Sequence, residues 1–235
     1  MTPAPPTAPK PPATKPADTA KKVRAVLWTL LAFIVVAGVI GYALVSGAKP
    51  APTPAAPAAD AQLVREDSHR VTTPTTEKAQ LVEFLDFECE SCRAAAPLVE
   101  KLKKEYGDRI TFVNRYFPIP SHRNSGTAAL AVEAAAQQGK YQQMYTRMFD
   151  TQPQWGEKQD SQAALFRTYA QDLGLDMAKY DATVAAEATK DRIRKDIADG
   201  KALGVTGTPT FFLNGKKLTL DTEEQFRQLL EDAAK

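Results

Sequence analysis

Cysteine and histidine are scarce in this chain, with two of each among 235 residues. Two cysteines in a single C-x-x-C supply neither a disulfide framework nor a four-cysteine zinc site. With His69 and His122 as the only imidazoles, zinc is a poor reading. Excess charge is also lacking. The formal net charge is only +2, so bulk charge names no polyanionic partner and no nucleic acid. Apolar residues are not lacking: at 43% they suffice for an ordinary core.

The N-terminal quarter contains little that could fold. Residues 1–24 are mostly Pro, Ala, Thr and Lys, a mixture that buries no core and predicts a disordered tail. The span 25–46 is apolar from Ala25 to Val45, interrupted mainly by Thr29. At about 1.5 Å per residue this run covers roughly 31 Å, one bilayer core, and predicts a transmembrane helix. Lys21, Lys22 and Arg24 precede it and only Lys49 follows closely. The positive-inside rule then places the N-terminus in the cytoplasm and the rest of the chain outside. A cleaved signal peptide, with Ser46-Gly47-Ala48 as its cleavage site, is the alternative. Residues 47–76 are again rich in Pro and Ala and are expected to be an extended spacer, with His69 to Thr73 a candidate edge strand.

The two cysteines stand together as Cys89-Glu90-Ser91-Cys92. The apolar run Leu81–Phe87, broken by Glu83 and Asp86, predicts a buried strand leading into them. Cys89 to about Tyr106 predicts a helix with Ala94, Ala95, Leu98, Val99 and Leu102 on one face, kinked at Pro97 and ended by Gly107. A helix N-terminus presents free N–H groups and a partial positive charge to the first sulfur. That favours the thiolate, which is the attacking species. Cys89 is therefore the candidate nucleophile, expected to be partly exposed, and Cys92, one turn on, the inward-facing resolving thiol. A static disulfide across two residues closes too small a loop to add much stability.

Ile110–Tyr116 predicts a second strand, parallel to the first. From Pro118 to about Ala188 the pattern is helical. Tyr141, Met144, Tyr145, Met148 and Phe149 form a core-facing stripe, and Ser161 and Asp176 are candidate helix caps. Thr189–Leu203 predicts another helix. Thr210–Leu213 and Lys217–Leu220 predict a hairpin around Asn214-Gly215, and a last helix opens at Asp221-Thr222-Glu223. The expected order is β-α-β, a helical block, then α-β-β-α.

That order, with C-x-x-C opening the first helix, resembles the DsbA-like thiol-disulfide oxidoreductases. The likeness rests on Glu83–Cys92, Phe117–His122, Gln152–Trp155 and Gly204–Gly215, and covers about Glu77 to Lys235. It implies an α/β thioredoxin-like fold over 77–235, with a helical insertion at about 120–188. It implies a buried acid at Glu83 that relays a proton to Cys92, and a cis-proline at Pro209 with Thr208 beside the disulfide to pair with a substrate strand. Glu90-Ser91 departs from the Pro-His pair of the best-known members. Glu88 and Glu90 are then the expected acidic modulators, opposing the helix N-terminus and giving a milder oxidant, unless they are merely a solvated rim. His122 receives no catalytic role, and Trp155 reads as a packing residue. The implied activity is that of a membrane-tethered, extracytoplasmic, monomeric oxidase of protein thiols. It needs no cofactor beyond a Cys89–Cys92 disulfide, and a quinone-linked partner of the DsbB or vitamin-K-epoxide-reductase type would reoxidise it. The same fold run as a reductase or isomerase is one rival reading. A tethered binding or chaperone module with incidental cysteines is the other.

Overall fold

The computed structural model describes residues 61–235. The tail 1–24, the apolar span 25–46 and the first part of the spacer lie outside the described residues. Among the described residues, no helix is long and apolar enough to cross a membrane.

The central strand is β2, Ala79–Leu85, where Leu81, Val82, Phe84 and Leu85 are all buried. A strand apolar on both faces needs cover on both. It pairs in parallel with β3, Ile110–Tyr116, from Ala79 opposite Ile110 to Leu85 opposite Tyr116. The crossover between them is helix α1, Glu90–Tyr106. On the other side β2 pairs antiparallel with β4, Thr210–Leu213, which turns through Asn214-Gly215 into β5, Lys216–Lys217. Both turn residues have positive φ, 48° and 82°, which is what a two-residue hairpin requires of Asn-Gly. With β1, His69–Arg70, antiparallel to β3, the sheet order is β1-β3-β2-β4-β5.

Between β3 and β4 lie α2 (Ser125–Ala136), α3 (Tyr141–Trp155), α4 (Ala163–Asp172), α5 (Met177–Ala185) and α6 (Glu187–Ala202); α7 (Glu223–Ala233) closes the chain. One sheet face packs Leu81 with Val99 and Leu102 of α1 and Phe226 and Leu230 of α7. The other packs Val82, Phe84 and Phe212 under α6. Gly200 of α6 lies so close to this face that a Cβ there would stand 2.8 Å from the Phe117 ring. The Tyr/Met stripe of α3 is core, as its spacing predicts: Met144 and Met148 are fully buried, beside Phe87, Trp155 and Phe166. This is a mixed α/β thioredoxin-like fold with a helical insertion, in the expected order.

Several boundaries differ from expectation. Strand β2 begins at Ala79 and ends at Leu85, two residues earlier at each end than the expected Leu81–Phe87. Helix α6 begins at Glu187, two residues before the expected Thr189. The second hairpin strand is only Lys216–Lys217, and β1 is only His69–Arg70. Asp176 caps α5 through the amides of Ala178 and Lys179, as its side chain predicts. The cap residue of α4 is Gln162, with Ser161 contributing one bond, Oγ from the Ala163 amide at 3.4 Å.

The largest correction concerns the spacer. Residues 61–68, expected to be extended linker, are docked on the domain, together with the candidate edge strand that follows them. Leu63 and Val64 pack on the cluster under α6. Arg115 of β3, fully buried, donates to the carbonyls of Gln62 (3.0 Å) and Leu63 (2.6 Å), and to Asp196 (2.7 Å) and Asp199 (2.6 Å) of α6. Arg65 reaches Asp199 from the strap at 2.5 Å, and Arg192 donates to the Asp67 carbonyl at 2.6 Å. His69 Nε2 lies 2.7 Å from Glu133 and 3.0 Å from the Tyr116 hydroxyl. Thr72 Oγ1 donates to the Ile110 carbonyl and accepts from the Phe112 amide, both at 2.8 Å. A buried arginine must be paired on every side. Here half of its partners are strap carbonyls, so a polar stretch becomes part of the fold.

Candidate active site

The strand β2 ends at Leu85, and Asp86-Phe87-Glu88 carries the chain to Cys89, the N-cap residue of α1 at φ −71°, ψ 121°. Cys89 is 8% exposed, less than the expected partly open position. Cys92 is 1% exposed and faces the core, as its place one turn on predicts. Both are free thiols. The Cys89 thiol donates to the backbone carbonyl of Thr208 at 3.3 Å, across 119 residues of chain. The Thr208–Pro209 bond is cis, as the resemblance implies, and both residues are half-buried beside the sulfur.

The two sulfurs are electrostatically unlike. Cys89 is pulled down from 9.0 to about 5, chiefly because the Cys92 thiol donates to it. Partial burial opposes that. The Thr208 hydroxyl and the Cys92 and Ser91 amides at the helix mouth add to it. No N–H closes a cap bond on the protonated sulfur, so those amides act on the thiolate. The Thr208 Oγ1 is buried and has no acceptor elsewhere among the described residues, which leaves it free to donate to the thiolate. Cys92 is pushed well above 9.0, first by burial, then by donating to Cys89 and by the charges of Glu83 and Cys89. A low-pKa attacking sulfur at the helix mouth beside a protonated partner deeper in the core is the asymmetry that thiol-disulfide exchange uses.

Glu83 is 3% exposed on the α1 side of β2, and its Oε2 has no partner among the described residues. Burial, reinforced by Glu100 and opposed by Lys103, raises its carboxyl from 4.5 to about 8. Glu83 and Cys92 thus share a field in which neither ionises readily.

The remaining acidic neighbours are not alike. Glu90 and Ser91 are exposed on the first turn of α1. Glu88 is not the expected rim carboxylate. It is 2% exposed and accepts the Asn124 amide at 2.6 Å and the Glu157 amide at 3.0 Å. Two backbone donors claim its oxygens, which makes it a tie to the helical insertion rather than a solvated charge beside the sulfur. Trp155 is fully buried against Phe166, a packing residue as expected.

Sequence reading passed over two residues. Asp86, which appeared only as a break in an apolar run, is 1% exposed and accepts from the Glu88 amide (2.8 Å), the Ile119 amide (2.9 Å) and His122 Nδ1 (2.7 Å). Burial raises its carboxyl, while those donors oppose the rise. His122 therefore serves as a partner of Asp86. Gln152 donates from one amide to the carbonyls of Phe87 and Cys89. A carboxylate three residues before a cysteine was a usable signal. Gln152 opens one of the stretches that carry the likeness, but nothing in its spacing placed it against a backbone 63 residues away.

Residues 74–232 match the family model described as Thioredoxin. A sodium/proton antiporter NhaA 1 of Mycobacterium sp. (strain KMS) is 36% identical over 142 residues, 58% of this chain and 22% of that protein. The chain thus spans about a fifth of the length of the curated relatives it matches. Among solved structures, a thioredoxin-like oxidoreductase from Silicibacter pomeroyi DSS-3 is 25% identical, with 75% of this chain and 97% of that one covered and a TM-score of 0.62. The alpha-DsbA1 of Wolbachia pipientis shares the fold at 18% identity and TM-score 0.64, over 73% of this chain and 92% of that one. With C-x-x-C at the mouth of its crossover helix and a cis-proline bend against the first sulfur, this chain belongs to the thioredoxin family.

Proposed function

We propose that this chain is a protein thiol-disulfide oxidoreductase of the DsbA-like kind, acting through a Cys89–Cys92 disulfide. The observation that carries the reading is the inequality of the two sulfurs: Cys89 drawn down to about 5 at the helix mouth, Cys92 pushed up in the core. A substrate thiolate attacks Cys89 Sγ of the disulfide. The S–S bond breaks, and Cys92 leaves and takes a proton, with Glu83 as the relaying acid. A second substrate thiol gives up its proton and attacks the substrate sulfur of the mixed disulfide, and Cys89 departs as the thiolate. Two substrate thiols are oxidised to a disulfide, and the enzyme pair takes up the two electrons. Thr208 offers its backbone to a substrate strand beside Pro209, which has no N–H of its own.

The rest of the reading draws on the sequence. The apolar span 25–46 holds the domain at a membrane, outside the cytoplasm. Its substrates are extracytoplasmic protein thiols. A membrane quinone-linked enzyme of the DsbB or vitamin-K-epoxide-reductase type returns it to the disulfide form, and it works as a monomer.

The test is oxidation of a reduced two-cysteine peptide by the oxidised protein, alongside its equilibrium with glutathione. Stoichiometric peptide oxidation that Cys89→Ser abolishes supports the reading. Peptide left reduced refutes it. A pair that glutathione cannot reduce points instead to the reductase direction.

A further inference from the structure

We propose that Gln152 is a positioning residue for Cys89: from the helical insertion, its carboxamide sets the N-cap geometry on which the reactivity of that sulfur depends. The inference rests on Cys89 being the attacking thiol.

Gln152 sits on α3 and is 2% exposed. Its Nε2 donates to the Phe87 carbonyl at 2.7 Å and to the Cys89 carbonyl at 2.9 Å. Its Oε1 accepts from Arg93 Nε at 3.1 Å. Both amide hydrogens and the oxygen are therefore in use. The flipped amide would set an oxygen against two carbonyl oxygens, so the orientation is fixed by chemistry.

These bonds hold the peptide groups on both sides of the nucleophile. The Cys89 carbonyl also accepts the Arg93 amide at 3.1 Å, the first bond of α1, and the Cys89 amide donates to the Asp86 carbonyl at 3.2 Å. Asp86 takes the Glu88 amide, and Glu88 is itself tied to Asn124 and Glu157 of the insertion. The torsions of Cys89 have little left to vary. Its ψ decides whether the Ser91 and Cys92 amides face the sulfur, and those amides favour the thiolate. Without Gln152, two buried carbonyls lose a donor, and the 89–90 peptide is free to turn towards another partner. The amides then swing off the sulfur.

The experiment uses the full chain in its reduced form, with Gln152→Ala and Gln152→Glu. The Cys89 pKa is read from the ultraviolet absorbance of the thiolate, and the potential from equilibrium with glutathione. Gln152→Ala raises the Cys89 pKa by about one unit, roughly a tenfold loss of thiolate below the pKa. Gln152→Glu raises it further, because a carboxylate cannot donate to the carbonyls and adds a negative charge beside them. Both variants hold their disulfide less loosely against glutathione, because the reduced form has lost stabilisation. If both fold, denature earlier, and keep the parent pKa and potential, Gln152 is merely structural and the inference is overturned. If neither folds, Gln152→Asn decides. It keeps a carboxamide but is one methylene too short to reach both carbonyls, and it lowers the thiolate fraction about twofold at a pH near the Cys89 pKa; an unchanged fraction overturns the inference. Cys89→Ser that still oxidises a dithiol peptide would instead remove the redox reading itself, a separate failure.

Discussion

Replacing Glu83 by glutamine gives the clearest measurable consequence of the buried carboxyl. In the folded protein this group titrates at about 8 instead of 4.5, mainly because burial penalises its charge. The sign follows from proton counting. Between pH 4.5 and 8 the unfolded chain has already released this proton while the folded protein still holds it. Stability is therefore full below pH 4.5 and declines as pH rises through that window. At about 1.36 kcal/mol per unit, the whole shift corresponds to roughly 5 kcal/mol, as an order of magnitude. Glu83→Gln removes this titration. It replaces a buried carboxyl by a neutral carboxamide with one more N–H to satisfy, at a cost of about 1 kcal/mol that does not vary with pH. The reduced variant should be somewhat less stable than the parent at pH 5 and more stable at pH 8.5. Urea unfolding followed by circular dichroism at the two pH values reads the difference directly. Parallel stability curves for parent and variant across that range would mean that Glu83 does not carry a shifted titration, and the proposed relay to Cys92 would lose its basis. In the same pair of proteins, the pH dependence of thiol exchange should flatten in the variant if Glu83 moves the proton.

Two further outcomes follow from the geometry. Arg115→Met leaves Asp196 and Asp199 buried with one cation fewer each, and should cost about 3–5 kcal/mol in denaturant unfolding. Because one of the two carboxyls can then take up a proton, the loss should shrink at low pH, and a loss independent of pH would contradict the pairing. Thr208→Val removes a hydroxyl that has no other partner among the described residues and can donate to the Cys89 thiolate; the Cys89 pKa should rise, and its titration by thiolate absorbance checks this.

The sequence by itself determined the order of the elements and the place of the chemistry. The run Leu81–Phe87 reads as a buried strand, and the observed strand, Ala79–Leu85, overlaps it but stops two residues earlier. Cys89 and Cys92 at the start of an apolar-faced helix had to put one sulfur at the helix mouth and the other a turn inward. Asn214-Gly215 had to be a hairpin turn. These are local effects, set by side-chain period, caps and turn torsions within a few residues. Burial of the polar groups could be decided only by tertiary structure. Glu88 reads as an exposed charge until the amides of Asn124 and Glu157 arrive from the insertion. Residues 61–68 read as linker until Arg115 takes the carbonyls of Gln62 and Leu63. Gln152 reads as one polar residue on a helix until it meets the two carbonyls flanking Cys89. In each case the partner lies tens of residues away in the chain. The energy at stake is the cost of leaving a buried donor, acceptor or charge unmatched, and that cost exists only once distant segments exclude water together.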